Sequence, residues 1–121
     1  MLPLTPAQRY FLYRPPTDMR KSFNGLSGLV RQELKDPLSG DVFIFVNRRR
    51  DRIKLLVWDR SGFVLYYKQL QQGAFEVPDR EELRWADLLL ILEGIELKSV
   101  RQRKRFSLAA QAVTSAKSAV M

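Results

Sequence analysis

A chain of 121 residues, 45% hydrophobic and 28% charged, has the size and balance of one globular domain and excludes wholesale disorder. It holds neither Cys nor His, which excludes disulfides, thiolate or imidazole metal sites, cysteine nucleophiles and Ser-His-Asp catalysis. Lys and Arg total 21 against 13 Asp and Glu, a formal net charge of +8 that suits a polyanionic partner.

Residues 9–14 are aromatic-rich and read as a strand, ended by Pro15-Pro16 because proline donates no ladder hydrogen bond. Thr17 and Asp18 offer an N-cap for a helix over residues 18–35. Its apolar positions, Phe23, Leu26, Leu29, Val30 and Leu34, share one helical face, and Gly25 and Gly28 are expected to let it approach a sheet closely. Residues 36–40 are turn formers. Three strands follow, over 41–47, 52–58 and 62–68. The first carries the continuous apolar run Val42-Phe43-Ile44-Phe45-Val46, the pattern of a strand covered on both faces. In the second, Ile53, Leu55 and Val57 alternate with Lys54, Leu56 and Trp58. Asp59-Arg60-Ser61-Gly62 reads as a type I turn closing a β-meander. Residues 73–77 read as a further edge strand stopped by Pro78, and residues 81–93 as a second helix with Gly94 as its C-cap. Leu83, Leu88, Ile91, Leu92 and Ile95 are its expected core contacts, and Trp85 is expected to cover the sheet edge. The fold class is α+β: a small antiparallel meander sheet with two helices.

The charge is unevenly placed. Residues 1–97 hold 15 Lys and Arg against 13 Asp and Glu, a net of +2, whereas residues 98–121 hold six basic residues and no acid. The reading is a near-neutral domain over 1–97 and a basic, flexible extension over 98–121. Such an extension suits a polyanion such as nucleic acid, or an acidic membrane surface, with a solubilising terminus as the plainer alternative. The longest apolar stretch, from Ala86 to Leu92, contains Asp87 and is too short to span a bilayer. The N-terminal residues lack the charged-then-apolar order of a signal peptide, so the cytoplasm is the expected location.

The sharpest feature is the loop Asn47-Arg48-Arg49-Arg50-Asp51-Arg52, which concentrates four guanidinium groups on one hairpin. Arg forks bind phosphate bidentately, and repulsion among four of them is relieved by an anion or by solvent. Tyr66, Tyr67 and Trp58 on adjoining strands would add stacking against bases or sugars. The plainer reading is a solvated hairpin tip with its aromatics in the core. The candidate nucleic-acid contacts are Arg48, Arg49, Arg50, Arg52 and Lys54, with Arg101, Arg103, Lys104 and Arg105 in the extension. The carboxylates fall mostly at caps and turns, and the strand centres are Ile44, Leu55 and Leu65, so neither a catalytic acid set nor a metal or other cofactor is expected.

The string from Pro16 to Leu26, PTDMRKSFNGL, continues into Pro37-Leu38-Ser39-Gly40 and Val42-Phe43-Ile44-Phe45. Asn47 to Leu56, Trp58-Asp59, Gly62-Phe63, Tyr66-Tyr67-Lys68 and Gly73 to Pro78 follow, with a closing segment from Leu89 to Ile95. Together, over about residues 9 to 97, they resemble the small TnpB (Orf-two-like) accessory proteins of the IS-sixty-six type of bacterial insertion sequence. In the closing segment Glu96 replaces the usual Asp, and residues 98–121 lie outside the resemblance. The resemblance implies a role in DNA transposition beside a larger transposase and a second small accessory protein, with DNA at the transposon ends as a partner and no membrane. It carries no catalytic residues onto this chain. The competing readings are a protein–protein adaptor without DNA affinity, which would use the aromatic faces and exposed strand edges, and a nuclease subunit.

Overall fold

A computed structural model describes residues 4–94. The element order is β1 (Tyr10–Tyr13), α1 (Phe23–Gln32), β2 (Val42–Val46), β3 (Arg52–Asp59), β4 (Gly62–Gln69), β5 (Glu82–Leu83) and α2 (Trp85–Leu92). The five strands form one sheet in the order β4-β3-β2-β1-β5. The expected meander is present: β2 pairs antiparallel with β3, and β3 with β4. β1, however, runs parallel to β2, in the register Tyr10↔Val42 to Tyr13↔Phe45. A helix between neighbouring strands returns the chain to its starting end, so β1-α1-β2 is a parallel crossover.

Strand alternation divides the interior into two layers. Tyr10, Leu12, Val42, Ile44, Ile53, Leu55 and Val57 pack with Leu88, Ile91 and Leu92 of α2. On the other face Phe43, Phe45 and Leu56 pack with Leu26 and Val30 of α1. The sheet is thus sandwiched, one helix per face, and every residue of β2 is buried, as its unbroken apolar run predicts.

Four local expectations are corrected. First, α1 starts at Phe23 rather than near residue 18. The Asp18 carboxylate accepts from the Arg20 N–H (2.9 Å), and the carbonyls of Met19 and Lys21 accept from Lys54 Nζ, so this segment is a local turn. Of its predicted apolar face only Leu26 and Val30 are deeply buried; Phe23 is 43% and Leu34 95% exposed. Second, Gly25 and Gly28 do not approach the sheet. A Cβ at Gly25 would meet the Lys21 side chain, and one at Gly28 would meet nothing. Third, residues 73–77 form no strand. Phe75 instead turns inward, 1% exposed, and its N–H donates to the Arg50 carbonyl (2.6 Å). The far edge strand is β5, because the Leu12 N–H bonds the Glu81 carbonyl and Tyr10 pairs with Leu83. That pairing delays α2 to Trp85. Fourth, the turn after β3 is not type I: Arg60 has φ 51, and the Ser61 N–H donates to the Asp59 carbonyl. A left-handed first turn residue matches the right-handed twist of paired strands better than a type I turn does.

Gly94 ends α2 as expected, one residue past the C-cap Glu93, with φ 74 and its N–H on the Ile91 carbonyl. Ile95 and the extension over 98–121 lie outside the described residues.

Candidate nucleic-acid interface

β1 and β2 are parallel, so their C-terminal ends open on the same side of the sheet. In open α/β sheets that is where ligands are received. The segment after β1 (residues 17–20) and the arginine hairpin after β2 together line an open groove of about 490 Å³. Its walls are Thr17, Asp18, Met19 and Arg20 on one side and Asn47, Arg48, Arg49, Asp51 and Arg52 on the other.

Each wall is held by its own hydrogen bonds. Asn47 organises the hairpin: its Oδ1 accepts from the backbone N–H groups of Asp51 (3.1 Å) and Arg52 (3.0 Å), and its Nδ2 donates to Asp51 Oδ1 (2.7 Å). The Arg50 N–H donates to the Asn47 carbonyl (3.0 Å), and Arg50 takes φ 60, the left-handed residue of the tip. Behind the loop, the Leu70 N–H bonds the Asp51 carbonyl (2.8 Å), so the chain after β4 braces the hairpin alongside the Phe75 bond. The opposite wall is tied to the sheet by the Thr17 N–H on the Val46 carbonyl (2.9 Å). Arg20 grips Asp18, with Nη2 2.7 Å from Oδ2. Hydrogen bonds from the Arg20 side chain and backbone hold the Asp18 carboxyl down at about 2, so it stays ionised at any physiological pH.

Arg48, Arg49 and Arg50 are exposed, and Arg52 is half-buried. Among the described residues none of the four joins an ion pair, whereas Arg9, Arg14, Arg20, Arg60, Arg80 and Arg84 each do. The groove lining therefore sets four guanidinium groups, those of Arg20, Arg48, Arg49 and Arg52, against the carboxylates of Asp18 and Asp51, a net of +2. An open groove of that sign and fork geometry suits the phosphates of a nucleic-acid backbone.

Of the residues singled out in the sequence, Arg48, Arg49 and Arg52 converge on the groove. Arg50 does not line it, and its carbonyl is spent on Phe75. Lys54 is a correction. It lies inside, 5% exposed, with Nζ 2.7 Å from the carbonyl oxygens of both Met19 and Lys21 and 4.6 Å from the Tyr67 ring centre. Burial pulls its pKa down, partly opposed by Asp18. Its charge thus fixes the Thr17–Arg20 wall from beneath and does not reach the groove. Trp58 meets Phe63 edge-on at 5.1 Å and Tyr66 packs on the α2 side, which leaves Tyr67 as the exposed aromatic of the three. Arg101, Arg103, Lys104 and Arg105 lie outside the described residues.

Sequence reasoning missed the wall from Thr17 to Arg20. It made Thr17 a helix cap and placed Asp18, Met19 and Arg20 at the start of that helix; what reveals the wall is the parallel pairing of β1 with β2 in the folded chain. Among the described residues no three carboxylates gather closely enough to hold a metal ion, and no helix is long and apolar enough to cross a membrane.

Two proteins of Sinorhizobium fredii (strain NBRC 101917 / NGR234), both described only as uncharacterized, are similar to the chain. The protein y4jC is 32% identical over 100 residues, covering 78% of this chain and 86% of its own length. The protein y4hO is 32% identical over 110 residues, covering 87% and 96%. No solved structure matches. The family model described as "IS66 Orf2 like protein" matches residues 8–102, the groove and the whole sheet included, and the chain belongs to that family.

Proposed function

We propose that this protein is a non-catalytic accessory factor of DNA transposition that grips the sugar-phosphate backbone of element DNA in the groove between residues 17–20 and the arginine hairpin. The family supports the transposition role. The observation that carries the DNA reading is the gathering of Arg48, Arg49 and Arg52, without carboxylate partners among the described residues, on one hydrogen-bonded rim. Preorganised guanidinium forks gain phosphate contacts with little ordering cost, and such contacts position a duplex without reading its sequence. The element's transposase is the protein partner this role implies, and the cytoplasm is where the two would meet.

Fluorescence anisotropy with a duplex from an element end, across a range of salt, tests the reading. If the three groove arginines each neutralise one phosphate, Arg48→Ala/Arg49→Ala/Arg52→Ala flattens the slope of log K against log salt by about 2.7. Affinity falls alike for all sequences, because the contacts are to the backbone. An adaptor without DNA affinity gives no binding by the parent protein, or a slope that the triple variant leaves unchanged.

A further inference from the structure

The two edges of the sheet are managed differently. β5 is two residues long and is flanked by the Arg9–Glu82 ion pair, so it offers little to a passing strand. β4 is eight residues long, Gly62–Gln69, and among the described residues it pairs on one side alone, with β3. The Leu70 N–H to Asp51 carbonyl bond sets the alternation of that ladder. Pairs an even number of residues away, Lys68↔Ile53, Tyr66↔Leu55 and Val64↔Val57, exchange hydrogen bonds, and the pairs between them do not. The N–H and C=O groups of Phe63, Leu65, Tyr67 and Gln69 therefore point out of the sheet, and no hydrogen bond among the described residues uses them.

This edge also lacks the usual guards against strand addition. It has no proline and pairs with β3 without a bulge. Its one charged residue, Lys68, turns its Nζ onto the Leu92 carbonyl (2.6 Å), capping the end of α2 instead of repelling a neighbour.

We infer that the free edge of β4 receives β4 of a second copy of this chain, antiparallel about a two-fold axis at Leu65, to give one continuous ten-stranded sheet. The sequence of β4 is self-complementary in that register. Two-fold pairing sets Leu65 against itself and Phe63 against Tyr67 on the α1 side, and Val64 against Tyr66 on the α2 side. Aromatic and β-branched cross-strand pairs of this kind are the favourable ones. The charges agree as well. Lys68 falls opposite Gly62, Asp59 opposite Gln71 and Arg60 opposite Leu70, so no like charges meet. The outward groups of residues 63, 65 and 67 would form about six ladder bonds with the partner strand. The arginine groove is lined by residues 17–20 and the β2–β3 hairpin and by no residue of β4, so a dimer would present two grooves.

The absence of cysteine makes the register directly testable. Residues paired with themselves across a two-fold ladder have Cα atoms about 5.5 Å apart, within disulfide range. Under mild oxidation Leu65→Cys should convert to a disulfide-linked dimer, whereas Gln69→Cys, displaced from its own copy along the strand, should not. Sedimentation of the parent protein should give a dimer at micromolar concentration. Tyr67→Pro removes an outward N–H and no β3 bond, and should sediment as a folded monomer. A monomeric parent protein overturns the inference, as does a folded Tyr67→Pro dimer, or crosslinking of Gln69→Cys as readily as Leu65→Cys. A dimer that appears only when residues 95–121 are deleted also overturns it, by showing that this segment covers the edge in the full chain. None of these results bears on the DNA titration, so the two readings stand or fall apart.

Discussion

Leu34 is the residue whose identity and position conflict most. It follows the C-cap of α1 with φ 59, its N–H on the Arg31 carbonyl (2.9 Å), while the Lys35 N–H reaches back to Val30 (3.2 Å). That pair of bonds is a Schellman ending, whose left-handed position normally takes glycine. A leucine there is strained and, at 95% exposure, gains no burial in return. Leu34→Gly should raise stability by about 0.5–1 kcal/mol, the relief of left-handed strain less the extra freedom of the unfolded chain. Urea denaturation reads this as a higher midpoint at unchanged slope. Gly94 holds the matching position after α2 and shows what the first helix lacks. Lys54 makes a related point about charge. Periodicity placed it on the sheet face opposite Ile53 and Leu55, correctly, but only packing shows that this face is also roofed.

At the scale of elements, the arginine hairpin is braced from behind by a segment that belongs to no element. Phe75 is an almost fully buried plug in the α2-side layer, and its backbone holds Arg50 in place. Phe75→Ala should cost about 3–5 kcal/mol, the usual toll for emptying a buried aromatic site. A lowered urea midpoint would show the loss, and weaker DNA binding should accompany it even where the variant is folded. If Phe75 merely lay on an exposed edge strand, the loss would be small. Strands β2, β3 and β4 were legible because each carries its own pattern: an unbroken apolar run, an alternation, and a turn between. The starts of the helices were not, because the carbonyls of Met19 and Lys21 bond Lys54 and that of Glu81 bonds Leu12, tens of residues away, and nothing local records that.

At the scale of the molecule, both buried layers, among the described residues, are already closed by residues between Leu4 and Leu92. Deleting residues 98–121 should therefore leave the thermal midpoint within a degree or two, on the order of the ±0.5 kcal/mol seen for changes outside the core. The same deletion should flatten the salt dependence of DNA binding by an increment separate from that of the hairpin, since its basic residues are distinct cations. The family match reaches residue 102 and so takes in Arg101 but not Arg103, Lys104 or Arg105. A marked fall in midpoint would show that the extension packs on the domain.

The sequence by itself determined the α+β class, the meander, the two helices and the hairpin that carries Arg48, Arg49, Arg50 and Arg52. These follow from side-chain periodicity and turn chemistry, which act over a few neighbouring residues. The tertiary structure alone decided the parallel pairing of β1 with β2, and so the second wall of the groove. It also decided the burial of Lys54, the inward turn of Phe75 and the unguarded length of the β4 edge. Each is a pairing between residues tens of positions apart, selected by which surfaces cover each other and which backbone groups are left to satisfy. A one-dimensional pattern shows that a residue has a preference; the partner that meets it is chosen only when the chain is folded.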